Sequence, residues 1–260
     1  MTGTSAIMHP AGQTVFLDMP FDRLDFGSMV TWLQRRRSGD DFAYVVTPNV
    51  DHMVQIDKNP VELRPLYDDA TLRLCDSRVL AKLAKMRGID LPVVPGSDLI
   101  VALFDRVLVP GDRYCLIGGS EELAERLRAK YPDLEQVHHA PPMGLRRDAH
   151  ARAEAVTAAA QANARFILLA VGAPQQEMLA REMAQHGAVS GTALCIGASI
   201  DFIVGAQRRA PKAMQRAGIE WAWRLASNPR RLARRYLVEG PKIFMLVARW
   251  SKPKTDTHQP

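Results

Sequence analysis

The chain has 260 residues, 47% hydrophobic and 24% charged, with three cysteines and a formal net charge of +6. This suits one large globular domain, or a domain with an appendage, and excludes a disordered chain or a disulfide-stapled scaffold. No apolar run reaches the roughly eighteen residues of a spanning helix, and the first twenty residues lack the pattern of a signal peptide, so a cytoplasmic protein is expected.

Short apolar runs alternate with segments whose apolar positions recur every three or four residues. In chain order the expected strands are Thr14–Leu17, Phe42–Thr47, Thr71–Cys75, Arg113–Ile117, Glu135–His138, Phe166–Val171 and Ala193–Ile196. The helices expected between them lie near 27–37, 51–58, 77–87, 98–109, 120–130, 148–163 and 175–187. Such alternation predicts an α/β protein with a Rossmann-like, mainly parallel sheet and helices on both faces. Cys75, Cys115 and Cys195 fall in or beside strands, without metal-ligand spacing, and read as buried reduced thiols. The first strand leads into Asp18-Met19-Pro20 rather than a glycine-rich dinucleotide turn, which argues against an oxidoreductase.

Sheets of this kind bind ligands beyond the carboxyl ends of their strands. The residues at those positions are Thr47-Pro48-Asn49, Asp76, Gly118-Gly119-Ser120, Gly172 to Glu177, and Gly197-Ala198. Several are small or polar, as a rim that holds phosphate or sugar requires.

Beyond about residue 205 the strand signals stop. Residues 205–254 hold thirteen Lys or Arg against Glu220 and Glu239, a net +11 in a chain of +6, so the remainder is net acidic. Gln207–Leu225 and Asn228–Trp250 read as two basic helices, with Trp221, Trp223, Tyr236, Phe244 and Trp250 interleaved. The expected organisation is a catalytic body, 1–204, and a basic, aromatic helical appendage, 205–260. Such an appendage seeks phosphates, whether of a lipid, a nucleotide or a nucleic acid. A basic surface helix with aromatics can lie on an anionic membrane, some aromatics packing into the body and others meeting lipid.

Four stretches together resemble the WecG/TagA/CpsF glycosyltransferases (glycosyltransferase family 26). They are Thr47-Pro48-Asn49; Asp76 with the later Gly96-Ser97-Asp98-Leu99; Gly172-Ala173-Pro174-Gln175-Gln176-Glu177; and Gly197 to Phe202 with Arg208-Arg209-Ala210-Pro211, Gly218 to Leu225, Pro229-Arg230-Arg231 and Arg234-Arg235-Tyr236. The last string is the most specific. The chain departs from the family where members follow the aspartate with Gly-x-Gly: here Ser77-Arg78-Val79 stands. The arginine that members carry shortly before the later glycine is also missing from Leu91–Gly96.

The resemblance implies inverting transfer of a hexose or N-acetylhexosamine, or its uronate, from a UDP-sugar to an undecaprenyl-diphosphate-linked acceptor. The product would serve exopolysaccharide, capsule or wall-polymer assembly at the inner face of the plasma membrane. It implies Asp76 as the base that deprotonates the acceptor hydroxyl; the plain alternative is an N-cap for the helix after it. Thr47 and Asn49 are implied in substrate binding, or else serve as turn and cap residues. Gln176 is implied as a ligand contact, with Gln175 and Glu177 facing solvent. Arg224, Arg231 and Arg234 match tail arginines suited to diphosphate oxygens, against the alternative of a solvated basic face, while Arg230 and Arg235 are left to the membrane surface.

Gly118 and Gly119 could cradle a donor phosphate at a helix N-terminus, though a tight strand–helix turn needs the same glycines. His52 reads as a surface or packing residue rather than a base, and His138-His139 receives no role. No Asp-x-Asp triplet occurs, so no metal and no cofactor are expected. The competing reading from another class is a nucleic-acid-binding protein using the basic tail; no RRM, KH or zinc-finger signature accompanies it, the positive charge is confined to the appendage, and no nucleic-acid partner is expected.

Overall fold

The computed structural model describes residues 12–207 and 209–252. The chain opens with an antiparallel hairpin, β1 (Gln13–Phe16) and β2 (Met19–Asp22), turned by Leu17 and Asp18 at positive φ. Helix α1 (Phe26–Arg35) follows, capped by Asp25, whose carboxylate accepts the Ser28 N–H. Then come β3 (Ala43–Val46), α2 (Val50–Lys58), α3 (Pro60–Asp68), β4 (Leu72–Arg73), α4 (Arg78–Met86) and α5 (Gly96–Ala102), which runs on into a π turn, Leu103–Val107. After β5 (Arg113–Gly118) lie α6 (Glu121–Lys130), β6 (Glu135–His139), α7 (Ala149–Ala162), β7 (Phe166–Ala170), α8 (Gln175–His186) and β8 (Thr192–Cys195).

The strands from β3 to β8 form one six-stranded sheet in the order β4-β3-β8-β7-β5-β6, every neighbouring pair parallel. The alternation of side chains explains why each strand reads as a continuous apolar run. Tyr44, Val46, Cys115, Ile117, Ile167 and Leu169 point into one core, and Val45, Tyr114, Leu116, Phe166 and Leu168 into the other. Both faces are covered, so the architecture is the α/β sandwich that the alternation predicts.

Two elements go beyond the sequence-based expectation. Strand β2 is fixed by Asp22, whose carboxylate accepts the Arg73 backbone N–H at 2.7 Å and pairs with its guanidinium at 3.5 Å, seating the hairpin beside β4. Helix α3 starts at Pro60, where a missing N–H costs nothing.

The tail differs more. After α9 (Ile200–Ile203) closes the body, the tail holds, instead of two long helices, α10 (Lys212–Ala217), α11 (Glu220–Ser227), α12 (Pro229–Ala233), a π turn (Arg234–Glu239) and α13 (Lys242–Arg249). Gly218, at φ +77°, ends the first piece, and Pro241 precedes the last. Helix α13 is anchored in the body: Ile243, Leu246, Val247 and Trp250 join the same buried cluster as Phe16 and Tyr44. The Trp250 ring meets Phe16 edge-on at 5.3 Å, its Nε1–H donates to Asp18, and its carbonyl accepts from Arg87. Burying four such side chains contributes on the order of 1.5–3 kcal/mol each, so the tail is held by packing as well as charge.

Candidate active site

Helix α4 begins at Arg78, two residues after Asp76, and its N-cap is Ser77, whose hydroxyl accepts the Leu80 N–H at 3.2 Å. The capping duty is therefore taken by the neighbour, and the Asp76 carboxylate is left for other work. Its Oδ1 accepts the Gly96 N–H at 3.1 Å, while its backbone N–H donates to Pro48. The approach is close: a Cβ at Gly96 would stand 3.3 Å from the Thr47 hydroxyl, which would have to give by a few tenths of an ångström. The ends of β3 and β4 and the start of α5 thus meet around one carboxylate.

Asp76 stands half-buried in the wall of a cavity of about 450 Å³. The body supplies Asn49, Asp51, Ser77, Arg78, Val79, Val93 and Ser97 to the same wall; the tail supplies Glu220, Trp221, Arg224, Arg235, Tyr236, Leu237 and Phe244. Burial pushes the Asp76 carboxyl from its ordinary 3.8 up to about 7; Arg224 and the Gly96 N–H pull it down, and Glu220 and Asp98 push it further up. A carboxyl poised near neutrality can take a proton and hold it, as a general base must.

The cations around it are fixed in place. Arg224 pairs with Glu220 one turn back at 3.0 Å and lies over the Phe202 ring at 5.3 Å; its charge is reinforced by Glu220, Tyr236 and Asp76 against the cost of burial. Arg209 ion-pairs with Asp98, donates to Ser97 and shares the Phe202 ring. Arg235 pairs with Asp51 at 3.3 Å. Beyond the cavity, Arg249 pairs with Asp57, and Glu239 joins Lys58 to Lys242. Three of the tail's arginines, Arg209, Arg235 and Arg249, thereby tie it to acids of the body.

Of the site residues expected from the sequence, Asn49, Asp76 and Arg224 share this cavity. Asn49 also caps α2, accepting the Asp51 and His52 N–H groups. Thr47 is buried behind the wall beside Gly96. Gln176 is buried, and both ends of its amide are used: Oε1 accepts the Gly197 N–H and Nε2 donates to Glu177, each at 2.8 Å. It holds the turn after β8 against the start of α8.

Glu177 does not face solvent; it is 0% exposed, and burial raises its carboxyl to about 7. A helix whose first turn packs down onto β7 and β8 leaves it no path outward. Gly118 and Gly119 lie at the end of β5, outside the described lining of the cavity. Both have positive φ, and a Cβ on Gly118 would meet Val171 at 2.7 Å, so the turn itself demands glycine. His52 is buried against Tyr67 and held neutral, its pKa lowered to about 4 by burial and by Arg235.

The tail arginines divide differently from the expectation. Arg235, left to the membrane surface, lines the cavity instead, because the π turn swings it inward onto Asp51. Arg234, its neighbour, is 86% exposed, 4.0 Å from Glu239 and outside the described lining. The Arg231 side chain, like residue 208, lies outside what the structure describes. Phe202, Glu220 and Asp51, which fix the cations, are assigned no role from sequence, although Phe202 and Glu220 fall in the family-like string and Glu220 stands four residues before Arg224.

Body and tail therefore build one site, and a comparison with known families spans both. The family described as "Glycosyl transferase WecG/TagA/CpsF family" matches residues 14–257. The chain belongs to this family. As a glycosyltransferase it joins a sugar donor to an acceptor, and its Asp76 cavity is the place where a carboxylate, guanidinium groups and an apolar wall come together. Among the described residues, no helix is long and apolar enough to cross a membrane.

Proposed function

We propose that this enzyme transfers a hexose, N-acetylhexosamine or the corresponding uronate from a UDP-sugar to a polyprenyl-diphosphate-linked acceptor, with inversion and without a metal ion. The observation that carries the reading is the Asp76 carboxyl, raised to about 7 in a cavity whose far wall is the tail's Arg224 and Arg235.

In this reading the acceptor hydroxyl attacks the anomeric carbon from the face opposite the nucleotide. Asp76 takes the hydroxyl proton as the new C–O bond forms. The bond to UDP breaks with its electron pair on the diphosphate, and guanidinium groups meet that charge. Arg224 and Arg235 act from the cavity wall, and Arg231 and Arg234 of the same tail meet the phosphates of the lipid-linked acceptor. Thr47 and Asn49 shape the sugar site, Gln176 holds the rim, and Gly118 and Gly119 let a donor phosphate approach the sheet edge. Residues 1–204 form the catalytic body and 205–260 the membrane-associating appendage.

The apolar side of the same wall supports a lipid acceptor. Trp221, Leu237 and Phe244 line the cavity and are also exposed, so its mouth opens beside apolar surface on a basic segment. Assembly of an exopolysaccharide, capsule or wall polymer at the inner membrane face is the process such an acceptor would serve.

The test is UDP release from a panel of UDP-sugars in the presence of a polyprenyl-diphosphate-sugar acceptor, with thermal stabilisation by UDP measured in parallel. The reading expects acceptor-dependent release and a UDP-dependent rise in Tm. Absence of both, with a salt-sensitive gel shift on nucleic acid, would overturn it.

A further inference from the structure

The cavity is lined by three acids and three arginines whose side chains the structure describes: Asp51, Asp76, Glu220, Arg78, Arg224 and Arg235. Two of the arginines are committed, Arg235 to Asp51 and Arg224 to Glu220. A committed guanidinium binds an incoming anion only by sharing or giving up its carboxylate. Arg78 differs: it is exposed, and among the described residues it has no carboxylate partner and no side-chain hydrogen bond.

Its backbone is the first residue of α4, two positions from Asp76. Its Cβ lies where Gly218 brings the tail close: a Cβ built on Gly218 would stand 3.6 Å from it. One turn along the same helix, Lys82 ties the tail down by donating to the Ala217 carbonyl at 2.7 Å. Arg78 is thus held at the seam of body and tail.

It is also at a junction. A second cavity, of about 390 Å³, is lined by Arg78, Val93 and Pro95 together with Phe26, Asp98, Asp105 and Arg106. Arg78, Val93 and Pro95 belong to both cavities, so the carboxylate cavity and a second groove adjoin at Arg78. A molecule larger than the first cavity that reached into the second, such as a nucleotide-sugar or a sugar on a diphosphate, would lie against this residue.

We propose that Arg78 is the anion-reading residue of this site: its free guanidinium takes the paired oxygens of a phosphate or carboxylate carried by the substrate. The planar fork of five N–H donors fits such oxygen pairs with two parallel hydrogen bonds, which a lysine cannot reproduce. Beside Asp76, the bound anion would be oriented with respect to the base, so Arg78 acts on specificity and placement rather than on the proton. This proposal rests on the glycosyl-transfer reading above. Two sources of the oxygens are chemically equivalent here, the donor's diphosphate and the ionised carboxyl of a uronate sugar.

The experiment compares wild type with Arg78→Ala and Arg78→Lys, using calorimetric titration with UDP and with uridine, and steady-state UDP release from UDP-hexose and UDP-hexuronate. If the diphosphate is read, Arg78→Ala weakens UDP binding by about tenfold or more, leaves uridine binding unmoved, and Arg78→Lys does not restore the loss. If the sugar carboxylate is read, UDP binding holds, and kcat/KM falls about tenfold more for the uronate than for the neutral hexose. Arg78→Ala matching wild type in both measurements would overturn the proposal. In that case wild type would still bind UDP and turn over, whereas failure of the glycosyl-transfer reading would show as wild type doing neither.

Discussion

Replacing Asp76 with Asn should stabilise the protein, and the gain should depend on pH. The cavity raises the carboxyl from 3.8 to about 7, with burial as the largest cause. Below about pH 4 the acid is protonated in both folded and unfolded chains and costs nothing. As pH rises from there the unfolded chain ionises first, and stability is lost until the folded carboxyl also ionises near 7. At about 1.4 kcal/mol for each tenfold in proton affinity, the loss is about 4 kcal/mol at most. That is an upper bound, because Asp76 keeps part of its surface open to a cavity that water can enter.

An asparagine retains the acceptor for the Gly96 N–H and removes the titration. The measurement is thermal unfolding of wild type and Asp76→Asn from pH 4 to pH 8. The difference should be near zero at pH 4, grow with pH, and level off above 7 at several degrees in favour of the variant. A difference constant across that range, or a variant less stable at pH 8, would refute the claim that a strained carboxylate sits in the wall.

Arg235 and Arg230 both belong to the basic tail, but only Arg235 lines the cavity. Arg235→Ala should lower kcat/KM by about tenfold by leaving Asp51 unpaired beside the site, while Arg230→Ala stays within about twofold; equal effects in the UDP-release assay would contradict the division. Phe244 and Met245 are 58% and 62% exposed on α13. Their double replacement by Glu should reduce co-sedimentation with anionic vesicles without lowering Tm, and unchanged sedimentation would count against membrane docking through this face. Gly191 has φ +86°, and a Cβ there would stand 2.4 Å from the Ala164 carbonyl oxygen. Gly191→Ala should therefore cost more than about 2 kcal/mol in chemical denaturation, by strain at the entry to β8; a near-neutral result would mean that the β7–β8 junction yields.

The parts of the fold legible in the sequence are those governed by local pattern. Apolar runs such as Phe166–Ala170 are buried on both faces and announce parallel strands, and their carboxyl ends locate Asp76 and Asn49 without coordinates. The outline of the tail is not legible in the sequence, for a physical reason. Basic and aromatic residues at helical spacing suggest long helices, but Gly218 and Pro241 break them, and the π turn at Arg234–Glu239 rotates the register of the arginines. The resemblance leaves Arg235 to the membrane surface, whereas pairing with Asp51, 184 positions earlier, draws it in.

Contacts of that range have no local signature, and neither does the buried state of Glu177, which depends on how α8 packs onto the sheet. Asp76 shows the converse. Sequence leaves two roles open for it, base or helix cap, and in the structure the Ser77 hydroxyl takes the cap.

The central claim is that Asp76, with its proton affinity raised by the cavity, removes the acceptor proton. The pH dependence of kcat/KM tests it most directly, measured by UDP release between pH 4.5 and pH 9 with the best donor of the panel. The account predicts an acid limb in which the rate falls tenfold per pH unit below a midpoint of about 7. A profile flat down to pH 5, or a limb near the ordinary carboxylate value, would contradict it.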